Sequence, residues 1–223
     1  TADELAECYF LEIKGFTPLK KAGRGGFGVV YKVREEETGK IYAAKVDERL
    51  AGEKIQQAYY IFGKDGLQEN EALPAAFRHE GIIKYFLDGN TNDGRRYHLF
   101  EWIEGETLAE KGILAPKEFQ HFMLNLCNAV KHMHDHGYLH NDLRSANIML
   151  DGQGEVKITD FGLARAAELV KGDDARAGTE AYMAPEQLLR KEASRRSDIY
   201  SLGLVLFEIF TGRRAYRASS RAE

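Results

Sequence analysis

Cysteine, basic excess and long apolar runs are all scarce in this chain, and each shortage closes off a class of protein. Cys8 and Cys127 are the only thiols in 223 residues. They stand far apart, which argues against a disulfide framework and points to a reducing cytosol. Neither has a motif around it, so both read as inert thiols. The formal charge of -4 leaves no general surplus of lysine and arginine, and broad nucleic-acid binding, which needs a basic face to neutralise phosphates, is disfavoured. No apolar run approaches the about 18 residues that span a bilayer, and the N-terminus lacks the basic-then-apolar layout of a signal peptide. A soluble, cytoplasmic chain without a membrane segment is expected. Internal repeats and low-complexity tracts are missing as well.

What is present is ordinary for a globular protein, with 43% hydrophobic and 30% charged residues in a chain long enough for one large domain or two small lobes. The texture changes once. From Phe16 to Trp102 the β-rich runs "GVVYKV", "IYAAKV" and "YHLFEW" are separated by the turn signals "ETGK" and "NTNDGR". One helix is expected here, within Asp65 to Arg78, kinked or shortened by Pro74. After "IEGETL" the pattern turns helical. Phe119, Phe122, Met123, Leu126, Val130 and Met133 recur at three- and four-residue steps and make one apolar face. A hairpin is expected around "IMLDGQGEVKIT", then a second apolar helix through "DIYSLGLVLFEIF" that Gly212 stops. The halves divide into residues 1–102 and 103–223, with a hinge near Glu101 to Glu106.

Four polar constellations carry the chemistry. In "GRGGFGVV", Gly23, Gly25 and Gly28 form a G-x-G-x-x-G pattern, which alone is weak. In a dinucleotide fold the last glycine opens a helix; here "VVYKVREEETGKIYAAKV" alternates like a β-hairpin, so the loop joins two strands. No GK[ST] follows, which excludes a P-loop. The ordinary reading is a glycine-rich turn; the functional one is a lid whose bare backbone N–H groups can approach phosphates. Lys45 in "YAAKV" lies inside an apolar strand, where a cation is costly unless an anion and a carboxylate meet it. That carboxylate should come from "LQENEALPAAFRHEGII", with Glu69 preferred and Glu71 a rival. In "HNDLRSANIML", Asp142, Arg144 and Asn147 gather beside an apolar run, and "DFG" follows at Asp160 to Gly162.

These motifs, together with "APE" at Ala184 to Glu186, resemble the protein kinase family in their order and spacing. The resemblance runs from the glycine loop to Gly212. It implies an α+β, two-lobed protein kinase-like fold, with a small β-rich N-lobe holding one main helix and a mainly α C-lobe. It further implies ATP and Mg2+ as cofactors and a protein substrate with Ser or Thr. The loop residues Gly23, Gly25, Gly26, Phe27 and Gly28 would cover the phosphates that Lys45 contacts, and Lys45 would be oriented by Glu69. Val30, Ala43 and Met149 would enclose the adenine ring, with the backbone around Glu101 and Ile103 at its edge and Phe100 as the gatekeeper. Asp142 is the expected base for the substrate hydroxyl, with Arg144 as its nearest cation, and Asn147 and Asp160 are the expected metal ligands. Hard Mg2+ prefers oxygen ligands, which Asp160 and Asn147 provide without thiolates or imidazoles. His140 is expected to pack against Phe161 as a structural residue. The other histidines, His132, His134 and His136, offer at most an i,i+4 pair with no third ligand, which disfavours zinc.

Three departures from the family pattern carry information. Asn141 stands where many kinases have an arginine that pairs with a phosphate on the activation segment. The stretch "FGLARAAELVKGDDARAG", Phe161 to Gly178, contains no Ser, Thr or Tyr, so receptor and accepted group are missing together. Asp173 and Asp174 offer fixed negative charge there, or simply a solvated acidic loop. Second, Arg144 replaces the usual Lys, as in some tyrosine kinases, whereas "GTEAYMAPE" resembles Ser/Thr kinases, in which the Thr, here Thr179, contacts the catalytic Asp and Lys, and "YMAPEQL" with "SDIYSLGLVLFEIFTGRRAY" is most similar to bacterial ones; Thr179 carries more weight. Third, the chain ends soon after the helix containing Asp198, and Glu186 is expected to lack the arginine that pairs with it in the family. An ATP-dependent Ser/Thr kinase is therefore the leading reading, a catalytically silent kinase-fold binding module the second, and a small-molecule kinase a weaker third.

Overall fold

The computed structural model describes residues 11–25, 28–50, 77–161, 165–166, 180–189 and 193–216. These fall into two compact units, one containing the strands before residue 51 together with Lys84–Ile103, the other containing the described residues up to Ile83 from Phe77 and everything from Glu104 onward. The helix expected within Asp65 to Arg78 lies almost wholly outside the described residues.

The first unit is an antiparallel sheet of β1 (Phe16–Gly25), β2 (Gly28–Glu35), β3 (Ile41–Leu50), β4 (Tyr85–Asn90) and β5 (Arg95–Glu101), in the order β1-β2-β3-β5-β4. β-Branched and aromatic residues at alternate positions make the strands. Val29, Tyr31 and Val33 of β2, Ala44 and Val46 of β3, and Tyr97 and Leu99 of β5 form one core with Leu11 and Ile13. Val33, Ala44 and Val46 are 0% exposed, and burial of each valine contributes roughly 1.5–3 kcal/mol. Between β2 and β3, Gly39 turns the chain with φ 72° and donates its N–H to the Glu35 carbonyl. Gly28 is required by space: a Cβ there would sit 2.3 Å from the Val46 carbonyl oxygen of the neighbouring strand.

Among the strands of the second unit, β6 (Gly105–Thr107) pairs with β8 (Ile148–Asp151), itself paired with β9 (Val156–Ile158). Helix α1 (Leu108–Lys111) is opened by a capping box, in which Thr107 accepts from the Glu110 N–H while Glu110 accepts from that of Thr107. Helix α2 (Pro116–Asp135) buries Phe122, Leu126, Ala129, Val130 and Met133 on one face, while Phe119 and Met123 are half-buried at its edge. Short β7 (Tyr138–Leu139) pairs with β10 (Arg165–Ala166). Helix α3 (Pro185–Leu188) starts on the APE proline, and α4 (Arg195–Thr211) runs from the Ser194 cap to Gly212, whose φ of 71° ends it. α4 is apolar on several sides, burying Leu202, Val205 and Ile209 and leaving Ile199 and Phe210 exposed.

Candidate active site

In the first unit, β3 places Lys45 between Val30 of β2 and His98 of β5 by strand register. Ala43 and Lys45 share the face opposite Ala44 and Val46, yet both are buried, so β3 is covered on either side. Ala43 stands opposite Phe100 in register. His98 is fully buried, and burial, then the nearby Arg96 charge, pushes its imidazole down to about 3. The strand end is fixed by Glu101, whose N–H donates to the Lys84 carbonyl while its Oε1 accepts from the Lys84 N–H, both at 2.8 Å. Val30 and Glu101 are half-buried and Ile103 is buried. Gly23 and Gly25 end β1, and Gly25 faces Gly28 across the β1–β2 turn. Gly26, Phe27, Glu69 and Glu71 lie outside the described residues.

In the second unit the loop from His140 to Asn147 is organised by one carboxylate. Asp198, 2% exposed on the first turns of α4, accepts from the backbone N–H of His140 through Oδ2 at 2.8 Å and from that of Asn141 through Oδ1 at 2.9 Å. His134 of α2 shares a hydrogen bond with Oδ2 at 2.9 Å. Asn141 is held at φ 64°, in the left-handed region where asparagine is several-fold enriched among non-glycine residues. The residue that cannot pair with a phosphate is thus well suited to the backbone it occupies.

The next links are local. Asp142 N–H donates to His140 Nδ1 at 3.2 Å, so His140 carries its proton on Nε2, which donates to the Thr159 carbonyl at 3.2 Å. The His140 ring packs on Phe161, centroids 5.2 Å apart, and Phe77 also packs on Phe161, at 5.1 Å. The packing of His140 on Phe161 is as the sequence led us to expect. Asn147 Nδ2 donates to both the carbonyl and Oδ2 of Asp142, each at 2.9 Å. Thr159 donates its N–H and Oγ1 to the Asn147 carbonyl at 2.8 and 3.1 Å. Arg144 Nε lies 3.5 Å from Asp142 Oδ2. Asp160 follows at φ 57°, and Met149 is half-buried on β8. Asp142, Arg144, Asn147 and the segment leading into Asp160 are therefore one hydrogen-bonded assembly; Gly162 and Thr179 lie outside the described residues.

The donor set fits a hard cation. With the Asn147 amide nitrogen committed to Asp142, its Oδ1 is the atom suited to a metal, and Asp160 adds an anionic oxygen. The three histidines near the end of α2 have other work: His134 holds Asp198, His136 Nδ1 bonds the His132 carbonyl at 2.8 Å, and His132 stacks between His79 and His136.

Two polar partners were not read from the sequence. Glu186 was expected to lack its arginine; here its Oε1 accepts from Ser197 Oγ at 2.7 Å. Asp198 served in the sequence only as a landmark on α4, although a carboxylate early in an otherwise apolar helix was a usable signal that backbone donors would meet it.

The chain belongs to the protein kinase family: the protein kinase domain model matches residues 16–223. It is similar to the serine/threonine-protein kinase AtPK2/AtPK19 of Arabidopsis thaliana, 31% identical over 211 residues that make up 93% of this chain and 43% of that protein. It is also similar to the probable serine/threonine-protein kinase PknB of Corynebacterium glutamicum, 35% identical over 209 residues, 89% of this chain and 31% of that protein. Serine/threonine-protein kinase PrkC of Bacillus subtilis is 37% identical over 141 residues, 60% of this chain and 22% of that protein. The chain spans less than half the length of these relatives. No helix among the described residues is long and apolar enough to cross a membrane.

Proposed function

We propose that the chain is an ATP-dependent protein kinase that transfers the γ-phosphoryl group, with Mg2+, to Ser or Thr hydroxyls of protein substrates. The observation that carries this reading is the assembly of Asp142, Arg144, Asn147 and Thr159 hung from Asp198 by two backbone hydrogen bonds. Phosphoryl transfer demands little covalent chemistry of the protein and much positioning. Asp142, beside Arg144, orients the attacking hydroxyl and accepts its proton. Asn147 and Asp160 would hold the ion, which when bound with ATP neutralises charge on the transferring phosphates. In the first unit Lys45, buried on β3, would meet phosphate oxygens. Val30 and Ala43 would offer the adenine an apolar surface, and Met149 of the second unit another. The relatives named above support Ser and Thr as acceptors.

Incubation with radiolabelled ATP, excess Mg2+ and generic protein substrates, followed by phosphoamino-acid analysis, tests the proposal. Label on Ser or Thr that disappears in Asp160→Asn is the expected result. Label on Tyr alone would move the acceptor class, and the absence of any transfer would leave a binding module in place of an enzyme.

A further inference from the structure

The second unit carries a charged device next to the catalytic loop that the transfer chemistry does not use. Tyr182 is buried in the turn Glu180–Tyr182 that leads into the APE segment. Its hydroxyl lies 3.0 Å from Ser145 Oγ and donates to Glu208 Oε2 of α4. The other oxygen of Glu208 accepts from Arg214 Nε at 3.3 Å. The Arg214 guanidinium also lies 5.6 Å from the Tyr182 ring centroid, a distance at which a cation is attracted to the ring face. Burial and then the Glu208 bond raise the Tyr182 pKa, so the hydroxyl remains a proton donor. The Glu208 side chain is 18% exposed and that of Arg214 is 54% exposed. A mostly buried carboxylate is thus compensated from within the chain, and the charge that reaches solvent is the arginine's.

Position gives this charge a use. Ser145 belongs to the loop that carries Asp142, so the Tyr182 hydroxyl touches the element that must receive the substrate hydroxyl. Tyr182 itself leads into the APE segment that closes the activation segment. Through Ser145 and Tyr182, the Arg214 guanidinium stands on the side of the second unit that carries the Asp142 loop.

We propose that Arg214 is a specificity-determining residue, whose exposed guanidinium, anchored on Tyr182 and Glu208, selects substrates bearing a carboxylate near the accepting hydroxyl and disfavours those bearing Lys or Arg there. The inference rests on the protein kinase reading. A guanidinium offers several donors in a planar fork, and those beyond Nε suit a carboxylate. A substrate cation would meet like charge, because Glu208 already has its partner. Without Arg214 the same patch would present the uncompensated Glu208, and its preference would invert.

The experiment measures kcat/KM for matched serine peptides carrying Glu, Ala or Arg at each flanking position, with the wild type, Arg214→Ala, Arg214→Lys and Arg213→Ala. At one flanking position the wild type should favour Glu over Arg by about fivefold, the scale of an exposed ion pair. Arg214→Ala should bring that ratio to one or below, mainly through KM, and Arg214→Lys should keep part of it. Arg213→Ala removes the same charge from the adjacent residue and should leave the ratio as in the wild type. Should Arg214→Ala not fold, a wild-type ratio in Arg214→Lys with no Glu preference to begin with would overturn the proposal, and a reduced Glu preference would support it. An unchanged ratio in Arg214→Ala, or an equal loss in Arg213→Ala, also overturns it. Failure of the wild type to phosphorylate any peptide overturns the kinase reading instead.

Discussion

Replacing Asp198 by Asn tests how the catalytic loop is held. The substitution keeps the side chain's shape and removes one acceptor and the charge. In the native arrangement three donors converge on two carboxylate oxygens: the His140 and Asn141 N–H groups at 2.8 and 2.9 Å and His134 Nε2 at 2.9 Å. An asparagine offers one oxygen. Its NH2 group must face an N–H donor whichever way the amide turns. Hydrogen bonds to a charged group contribute roughly 1.5–3 kcal/mol, and a buried donor left without an acceptor costs roughly 1–3 kcal/mol. Because the site is only 2% exposed, water cannot readily substitute, and the total loss should be about 3–5 kcal/mol. That is a large share of the roughly 5–15 kcal/mol that holds a domain together. The Asn141 bond also helps to hold a residue at φ 64°, so the loop should relax before the unit unfolds, and phosphotransfer should fall further than the folded fraction does. Urea unfolding followed by circular dichroism, with transfer rates measured where the variant is still folded, reads both effects. A stability loss under about 1 kcal/mol, within the range of an ordinary substitution, together with normal transfer would refute the reasoning.

Other expectations follow from single residues. His98 is kept neutral in the fold, its imidazole pushed down to about 3 by burial, whereas the unfolded chain takes up that proton below about 6.5. The folded state therefore binds fewer protons between those values, and this group should remove about 1.4 kcal/mol of stability per unit as the pH falls through that window. His98→Leu should flatten the slope of the urea-derived unfolding free energy against pH by that amount. At Gly212, φ is 71° and the N–H donates to the Glu208 carbonyl at 2.7 Å; Gly212→Ala should cost about 1 kcal/mol, seen as a lower Tm. Residues 161–178 contain no hydroxyl and Asn141 carries no charge, so phosphatase co-expression should leave initial rates unchanged. Restoring an arginine through Asn141→Arg should not raise them, and activity that tracked a phosphate on Thr179 or Tyr182 would contradict this.

The local layers were legible because they obey short-range rules. Alternation gave β2 and β3, and with them the face that carries Ala43 and Lys45; three- and four-residue spacing gave the buried face of α2; glycine gave the end of α4. The reason Gly28 must be glycine was only half legible. Closeness to phosphate was one argument, but the approach of the Val46 carbonyl is a property of strand register and cannot be read from the loop. Long-range polar partners were the least legible. Asp198 satisfies backbone groups almost sixty positions earlier in the chain, and a backbone N–H leaves no mark in a sequence. The same holds for Asn141, whose identity suggested a lost phosphate receptor while its left-handed backbone supplied a second, purely conformational reason. Glu186 found Ser197 because the Ser194 cap fixes where α4 begins, a geometric consequence that motif comparison alone does not contain.

The central claim is that Asp142 serves the transfer step and not the binding of nucleotide. Single-turnover transfer from radiolabelled ATP, measured beside equilibrium ATP binding for the wild type and Asp142→Asn, tests it most directly. The transfer rate should fall about a hundredfold or more, the usual contribution of a positioned base, while ATP affinity stays close to that of the wild type. Near-wild-type transfer in Asp142→Asn, or a loss of ATP binding as large as the loss of rate, would contradict the account.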